Sequence, residues 1–364
     1  MDSYIFGADI GGTAVKLGLF STACSAATGP ATAGGSPGVR LLEKWSIPTS
    51  TDDDGGSILP DVAGSIRSKI LERDIGGAGI LGIGLGAPGP VDRDGTVHGC
   101  VNLGWGTFDL RGRMEELTGL PCRAGNDAKV AALGEMTFGA ARGHRDVTMV
   151  VLGTGVGAGI IADGRIVYGA NGSAGEIGHM PVRDDEPEPC ACGKHGCLEQ
   201  YASAKGFARQ VKKLLDTCAT GQTAHPGAAP QAGRTSAGTC IGSAETGTAG
   251  IAEAAAASPL HSLPEITSKD IFDEARAGDA FALSMVDELG RLLGRACADI
   301  SCVMDPEVFV IGGGLSEAGP ILIDAISHHY RDNAFHTSRE TPFVLAELGN
   351  DAGIYGCAAM VAEG

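Results

Sequence analysis

Residues 4–20 read YIFGADIGGTAVKLGLF, and they contain the first signal of the fold. The aromatic and β-branched run from Tyr4 to Asp9 predicts a strand, and the apolar run from Ala14 to Phe20 predicts a second one. Between them, the glycine pair at positions 11 and 12 predicts a tight turn. The stretch is therefore expected to form a strand, a glycine turn and a returning strand.

The same unit occurs a second time, at residues 147–161. An apolar run at 147–152 is followed by the turn sequence GTGVG at 153–157 and by another apolar run at 158–161. Residues 58–72 have helical spacing, and residues 80–85 have the pattern of a buried strand. A repeated strand-turn-strand unit among helices and buried strands predicts an α/β fold of two lobes.

The expected boundary between the lobes lies near residue 125. We expect a first lobe of residues 1–125 and a second lobe of residues 126–350, with a C-terminal helix of about 351–364 packed back on the first. Two low-complexity stretches, 217–258 and 21–39, contain few large apolar side chains. Both are expected to be surface insertions without a role in chemistry.

Composition and charge exclude several classes of partner. The chain has 364 residues, of which 43% are hydrophobic, so each lobe can bury a core. Its net charge of -17 would repel nucleic acid and anionic membranes. No apolar stretch reaches the roughly 18 to 20 residues that span a bilayer. We therefore expect a cytoplasmic protein without a nucleic-acid or membrane partner.

The first glycine turn has the residue types of a phosphate site. Gly11 and Gly12 allow backbone amides to face phosphate oxygens, Thr13 offers a hydroxyl, and Lys16 offers a cation. Asp9 would bind Mg²⁺, directly or through water. A glycine pair after a strand is also the ordinary composition of a hairpin turn, so this turn alone leaves both interpretations open.

Two further glycine segments favour the phosphate interpretation. The second hairpin carries Gly153, Thr154 and Gly155 in its turn, and a strand at 308–311 runs into a third glycine run that includes Gly313 and Gly314. A cradle for phosphate and a nucleoside explains these segments more simply than three coincidences.

These motifs resemble the phosphate and adenosine motifs of the hexokinase, heat-shock protein 70 and actin superfamily. More narrowly, the chain resembles a ROK-family sugar kinase over nearly its whole length, apart from the two low-complexity stretches. The resemblance implies a two-lobed ribonuclease H-like fold that closes over ATP and a hexose. It also implies a homodimer or higher homo-oligomer.

A cluster of metal-ligand residues lies between 179 and 197. One imidazole and three thiols, at His179, Cys190, Cys192 and Cys197, form a closed tetrahedral ligand set suited to structural Zn²⁺. Ordinary reduced thiols near a histidine are the alternative. The run CACGKHGCLE at 190–199 also resembles the zinc motif of the ROK family. We expect the metal to brace a loop rather than to take part in chemistry.

Phosphoryl transfer to a sugar needs a carboxylate that accepts the hydroxyl proton. Asp127, after Asn126 at the start of a predicted helix, is the candidate, although an Asn-Asp pair is also an ordinary helix cap. The resemblance implies that Asp127 is the base and Asn126 a sugar ligand. Lys129 lies on another face of the helix and is not expected to alter the base.

Several planar polar side chains are expected to bind the sugar hydroxyls. Glu176, His179 and Glu199 flank the metal motif, which would fix their geometry, although the two glutamates could equally be solvated surface acids. Asn102 and Gly89 are expected to close the pocket from the first lobe.

The leading function is ATP:hexose phosphotransfer, with glucose as substrate. The resemblance leaves N-acetylmannosamine, N-acetylglucosamine and fructose kinases as alternatives, because these enzymes share the motifs. Some relatives are sugar-responsive transcriptional repressors with an extra N-terminal DNA-binding segment. We expect an enzyme rather than a repressor, because the phosphate turn begins at Asp9 and the chain is acidic.

Overall fold

The fold is built on two sheets whose strands are arranged in equivalent order. The computed structural model describes residues 3–22, 38–76, 79–219 and 248–363. The strands are β1 (Ser3–Ile10), β2 (Ala14–Thr22), β3 (Val39–Pro48), β4 (Ile80–Ala87), β5 (Thr96–Cys100), β6 (Trp105–Asp109), β7 (Cys122–Asn126), β8 (Val147–Leu152), β9 (Val156–Ala162), β10 (Arg165–Ile166), β11 (Val308–Gly312) and β12 (Phe343–Leu345). Their bounds confirm both predicted hairpins.

The helices connect and cover the strands. They are α1 (Ile58–Glu72), α2 (Leu110–Thr118), α3 (Asp127–Phe138), α4 (Glu199–Ala202), α5 (Ala204–Ala219), α6 (Thr248–Ala257), α7 (Ser268–Ala277), α8 (Ala280–Met304), α9 (Pro320–Asn333) and α10 (Ala352–Ala362). Short 3-10 helices occupy Val101–Leu103, Ile177–His179, Pro259–Ser262, Gly314–Ala318 and Gly349–Asp351. No helix within the described ranges is both long and apolar enough to cross a membrane.

The strand orders show that the hairpin repeat is part of a larger duplication. The first sheet has the order β3-β2-β1-β4-β7, and the second has the order β10-β9-β8-β11-β12. In each sheet an antiparallel three-stranded unit continues into two parallel strands. The α/β prediction is therefore confirmed, and the resemblance between the lobes extends through all five strands.

Two helices join the sheets. Helix α10 packs on β1 and β4 of the first sheet, α3 packs on β8 and β9 of the second, and the two helices pack against each other. Glycines permit this close approach, because a Cβ on Gly134 would lie 2.4 Å from the Ala352 carbonyl oxygen and one on Gly356 would lie 1.7 Å from that of Val130. We propose the lobe division 1–125 and 126–350, with α10 completing the first lobe.

A buried carboxylate fixes the chain just before α10. Glu135 on α3 is fully buried, and its oxygens accept hydrogen bonds from the backbone N–H groups of Ala140 (2.8 Å), Glu347 (3.1 Å) and Leu348 (2.8 Å). A buried carboxylate is stable only when its oxygens are satisfied in this way. Glu135 therefore sets where α10 begins relative to α3.

The structure corrects the extent of the predicted insertions. Residues 220–247, within the expected insertion at 217–258, and residues 23–37, within the stretch at 21–39, lie outside the described residues. Residues 248–257 form α6, and its Ile251 and Ala255 are buried in the core of the second lobe. The prediction of a surface insertion is wrong for this segment, because a small-residue helix with one large apolar anchor can still pack.

Candidate active site

Two aspartates approach each other at the carboxyl edge of the first sheet. Asp9 near the end of β1 pairs in register with Gly86 of β4, and Asn126 at the end of β7 pairs with the next β4 residue, Ala87. A Cβ on Gly86 would lie 3.5 Å from Asp9 Oδ1 and 3.8 Å from the Cα of Asp127. The two aspartates therefore lie on either side of Gly86, Asp9 on β1 and Asp127 at the start of α3, directly after β7.

Asn126 both caps α3 and holds Asp127. Its Oδ1 accepts a hydrogen bond from Lys129 N (3.2 Å), and its Nδ2 donates to Asp127 Oδ1 (2.9 Å) and to the Gly89 carbonyl oxygen (3.1 Å). Asp127 Oδ1 also accepts from Ala128 N (2.7 Å). The helix-cap interpretation is correct for Asn126, and the same contacts orient the carboxylate that follows it.

The environment of Asp127 favours its protonated form. Burial, together with the negative charges of Asp9 and Glu176, raises the pKa of Asp127 to about 6. Hydrogen bonds from Ala128 and Asn126 act in the opposite direction. An acid with a pKa near 6 is ionised at neutral pH and basic enough to accept a proton.

Asp9 lies against the start of α10. A Cβ on Gly353 would lie 2.5 Å from the carboxyl group of Asp9, so the carboxylate faces the positive end of the helix dipole. Burial raises the pKa of Asp9, and the charge of Lys16 lowers it. The Lys16 ammonium donates a hydrogen bond to the Asn350 carbonyl oxygen (2.9 Å).

A threonine that the sequence reasoning missed supports the first turn. Thr49 donates from its hydroxyl to the Gly11 carbonyl oxygen (2.7 Å) and from its backbone N–H to that of Thr13 (3.0 Å). Gly12 and Thr13 are exposed, and no atom beyond the adjacent residues lies within 4 Å of a Cβ built on Gly12. The turn is therefore held from one side and open on the other, as a ligand site requires.

Glu199 contacts the second turn. Its Oε2 accepts a hydrogen bond from Val156 N (3.1 Å), and a Cβ on Gly155 would lie 2.3 Å from that oxygen. Within the turn, Gly153 N donates to the Gly155 carbonyl oxygen (3.0 Å), and Thr154 is exposed. The start of α4, directly after the metal motif, is thus in direct contact with the second glycine turn.

The third glycine run lies beside the second turn. Gly313 has a φ of +83°, and a Cβ there would lie 2.5 Å from the Leu152 carbonyl oxygen, so this position requires glycine. Gly314 follows, with no atom within 4 Å of a built Cβ. The run therefore leaves open backbone next to the end of β8.

The second hairpin contacts the residue that follows Asp127. A Cβ on Gly157 would lie 3.5 Å from the Cβ of Ala128, so the start of β9 packs against the first turn of α3. The contacts run from Asp9 across Gly86 to Asp127, and from Ala128 to Gly157. The first glycine turn therefore starts at one of the two aspartates, and the strand after the second turn packs against the residue that follows the other.

The segment that carries Glu176 and His179 runs along β9. Gly175 accepts a hydrogen bond from Ala158 N (2.9 Å), and His179 N donates to the Glu176 carbonyl oxygen (3.1 Å). Glu176 is close enough to Asp127 to raise the pKa of that aspartate. Glu176 and Asp127, which were predicted from separate motifs, therefore belong to one cluster of acids.

The four predicted metal ligands converge. The donor atoms of His179, Cys190, Cys192 and Cys197 all lie within 4.8 Å of one another. His179 Nδ1 is 3.7 Å from Cys190 Sγ, and Cys192 Sγ is 3.7 Å from Cys197 Sγ. A tetrahedral site with Zn–S bonds of about 2.3 Å separates its sulfur atoms by about 3.8 Å. The donor set therefore fits zinc.

The metal loop is anchored to the second lobe by polar contacts. Cys197 N donates to Gln200 Oε1 (3.0 Å), and Lys194 Nζ donates to the His179 carbonyl oxygen (2.9 Å). Arg183 forms a largely buried ion pair with Glu288 of α8 (2.6 Å). These contacts connect the loop to α4 and α8, so a metal bound here would stiffen the segments before and after it.

Gly89 and Asn102 are the two sugar-site residues predicted in the first lobe. Gly89 contacts Asn126 through its carbonyl group, and a Cβ on it would lie 2.7 Å from the Gly99 carbonyl oxygen. Asn102 lies exposed on the 3-10 helix that follows β5. Gly89 thus lies at the acid cluster, whereas the contact of Asn102 with a sugar stays a prediction.

Comparison with known proteins identifies the family. A model described as "ROK family" matches residues 63–363. The chain belongs to the ROK family. This ROK chain is 37% identical to a glucokinase from Halalkalibacterium halodurans over 98% of its own length and 94% of the relative. It is 29% identical to the N-acetylgalactosamine kinase AgaK from a Shewanella species, over 98% and 96% of the two chains.

A solved structure gives the same fold. The crystal structure of a ROK family glucokinase from Streptomyces griseus, in complex with glucose and AMPPNP, superposes with a TM-score of 0.67. It is 30% identical to this ROK chain and covers 100% of both chains. The two-lobed ribonuclease H-like fold of the actin and hexokinase superfamily, expected from the glycine motifs, is therefore confirmed for this ROK protein.

Proposed function

We propose that the protein transfers the γ-phosphoryl group of ATP to a hydroxyl of a hexose, with glucose as the leading substrate. The observation that carries this proposal is the meeting of Asp9 and Asp127 across Gly86, with the strand after the second glycine turn packed against Ala128. The family and its full-length kinase relatives support the reaction class. The glucokinase at 37% identity favours glucose among the hexoses.

Asp127 is the base of this reaction. As the sugar hydroxyl oxygen bonds to the γ-phosphorus, the bond from that phosphorus to the β,γ-bridging oxygen breaks, and the hydroxyl proton passes to the Asp127 carboxylate. Asn126 and the Ala128 N–H hold the carboxylate in place. ADP leaves with the bridging oxygen.

The glycine segments bind the nucleotide. Amides of the first turn at Gly11–Thr13 and of the second turn at Gly153–Gly155 bind the phosphates, and the open backbone at Gly313 and Gly314 takes the nucleoside. Asp9 is the residue that would hold Mg²⁺, whose charge offsets that of the transferring phosphate. A divalent cation fits this position, because it would neutralise two adjacent carboxylates.

The sugar lies over the acid cluster. Asn126, Glu176, His179 and Glu199 bind its hydroxyls, with Asn102 and Gly89 on the first-lobe side. His179 places Nδ1 beside Cys190 Sγ, which leaves Nε2 for a hydroxyl. Zinc in the Cys3His cluster is structural, because all four positions of a tetrahedral site are taken by side chains. We also propose that the protein is cytoplasmic and forms a homodimer or higher homo-oligomer.

The rate is expected to fall at acid pH as Asp127 becomes protonated. Its folded-state pKa of about 6 means that the base is present above pH 6 and is lost below it. The kcat/KM for the sugar should therefore be level between pH 7 and 8 and decline about tenfold per pH unit well below 6. A profile that stays level down to pH 4 would contradict this assignment.

A coupled assay of ADP release tests the function. Glucose, mannose, fructose, N-acetylglucosamine, N-acetylmannosamine and N-acetylgalactosamine are compared at equal concentrations with ATP and Mg²⁺. We expect glucose to have the highest kcat/KM. A higher value for another sugar would make that sugar the substrate and leave the kinase assignment in place. An absence of sugar-dependent ADP release with every sugar would refute the kinase assignment and favour a sugar-responsive regulator.

A further inference from the structure

Lys129 is a lysine with almost no exposure to solvent. It lies on the first turn of α3, and the residue is 1% exposed. Its ammonium donates a hydrogen bond to the Gly172 carbonyl oxygen at 2.7 Å. An ammonium has three protons and loses several kcal/mol of hydration free energy on burial unless acceptors and negative charges compensate it. One carbonyl oxygen is a small compensation for that loss.

The other compensation comes from the acid cluster. Burial lowers the pKa of Lys129, and the charges of Glu176 and Asp127 oppose that effect. Both carboxylates therefore lie within electrostatic range of the ammonium. Lys129 is thus a cation placed among acids that the proposed mechanism already uses, although it is assigned no part in that mechanism.

The partner of Lys129 belongs to the loop that leads to Glu176. A Cβ on Gly172 would lie 3.1 Å from the Val91 carbonyl oxygen, so the loop is confined between α3 and a first-lobe segment. The far end of the loop is fixed on β9, where Gly175 accepts a hydrogen bond from Ala158 N. The bond from Lys129 to Gly172 fixes the middle of the loop from the second-lobe side.

We propose that Lys129 is a positioning residue that ties the 169–175 loop to α3 and thereby holds Glu176 at a set place relative to Asp127. The inference rests on the proposed function, in which Glu176 binds sugar and Asp127 accepts its proton. This hydrogen bond positions Glu176, which binds the sugar, and does not involve the glycine turns, which bind the nucleotide. Its loss therefore weakens sugar binding selectively.

Two readouts on Lys129→Met test the inference. Methionine keeps an unbranched apolar stem and removes the ammonium. We expect the KM for the sugar to rise tenfold or more while the KM for ATP stays within twofold. In the sugar-free protein, backbone amides in residues 169–176 should exchange hydrogen faster than in the wild type. Lys129→Arg, which keeps the charge and donors, should recover most of the sugar affinity.

Lys69→Met is the matched control. Lys69 is a mostly buried lysine of the first lobe, and its ammonium contacts Glu43 and Glu72, both at 2.7 Å. Its replacement removes an ammonium and two ion pairs, one from α1 to β3 and one within α1. The sugar KM and the exchange of residues 169–176 should stay at wild-type values.

The outcomes separate this inference from the proposed function. A sugar KM within twofold of the wild type, equal increases in both KM values, or unchanged exchange at 169–176 in Lys129→Met would each overturn the positioning role. If Lys129→Met does not fold, Lys129→Gln is judged by the same two measurements. If the wild type phosphorylates no sugar, the proposed function fails, and the exchange comparison alone still decides whether Lys129 holds the loop.

Discussion

Asp127→Asn is expected to lower kcat by roughly 10²- to 10⁴-fold while sugar binding and folding persist. Asparagine keeps the shape of the side chain and its contacts with Asn126 and Ala128 but cannot accept the hydroxyl proton. Steady-state kinetics and calorimetric sugar titration measure the two effects separately. A variant with near-wild-type turnover would remove Asp127 from the role of base.

The same substitution is expected to stabilise the protein. The carboxyl titrates near 6 in the folded state against an ordinary value of 3.8, so the ionised form costs up to about 3 kcal/mol above pH 6, and this cost disappears below about pH 4. The free energy of unfolding of Asp127→Asn should therefore exceed that of the wild type at pH 8 and match it at pH 4.

Asp279→Asn is the control that tests whether Asp127 acts only by stabilising the start of its helix. Asp279 precedes α8, and its carboxylate accepts a hydrogen bond from Ala282 N (2.7 Å), much as the Asp127 carboxylate accepts one from Ala128. It lies outside the proposed site. Its substitution should cost some stability and leave kcat unchanged, so loss of activity in both variants would point to folding rather than chemistry.

Cys192→Ser is expected to release zinc, lower the melting temperature and raise the sugar KM by tenfold or more. The physical reason is the placement of the cluster. Its ligand His179 is also a proposed sugar ligand, and Glu199 follows Cys197 by two residues. Metal analysis, thermal unfolding and sugar kinetics give the three readouts.

Cys302→Ser supplies the comparison for this change, since Cys302 is an exposed thiol on α8 outside the cluster. It should retain wild-type metal content and sugar KM. Fully active wild-type protein that contains no zinc would refute the structural role of the metal. Zinc loss without a change in sugar KM would show that the metal does not hold the sugar-binding residues in place.

Features that depend on residues close together in the sequence were predictable from it. Helix α1 and strand β8 have the predicted bounds, because apolar spacing is a local property. The metal ligands were found for the same reason, since three of the four lie within eight residues of each other. The approach of Asp9 to Asp127 was not predicted, because sequence spacing does not tell which strands lie side by side.

Features that depend on distant contacts were missed. Thr49 supports the first turn from 38 residues away, and Glu135 binds backbone groups more than 200 residues later. Lys129 was not expected to alter the base, because it lies on another face of the helix. Its four-carbon stem nevertheless carries the ammonium back to within electrostatic range of Asp127. The length of a flexible side chain decides such cases, and helical periodicity alone does not report it.

We propose that the crossing of α3 and α10 is a pivot that lies next to the chemistry. The start of α3 carries Asp127, and the start of α10 contacts Asp9, so both acids lie near the axis about which the lobes would rotate. In any rotation, points near the axis move least and the outer rims of the sheets move most. The mouth of the cleft can thus widen to admit a sugar while the separation of the two acids changes little.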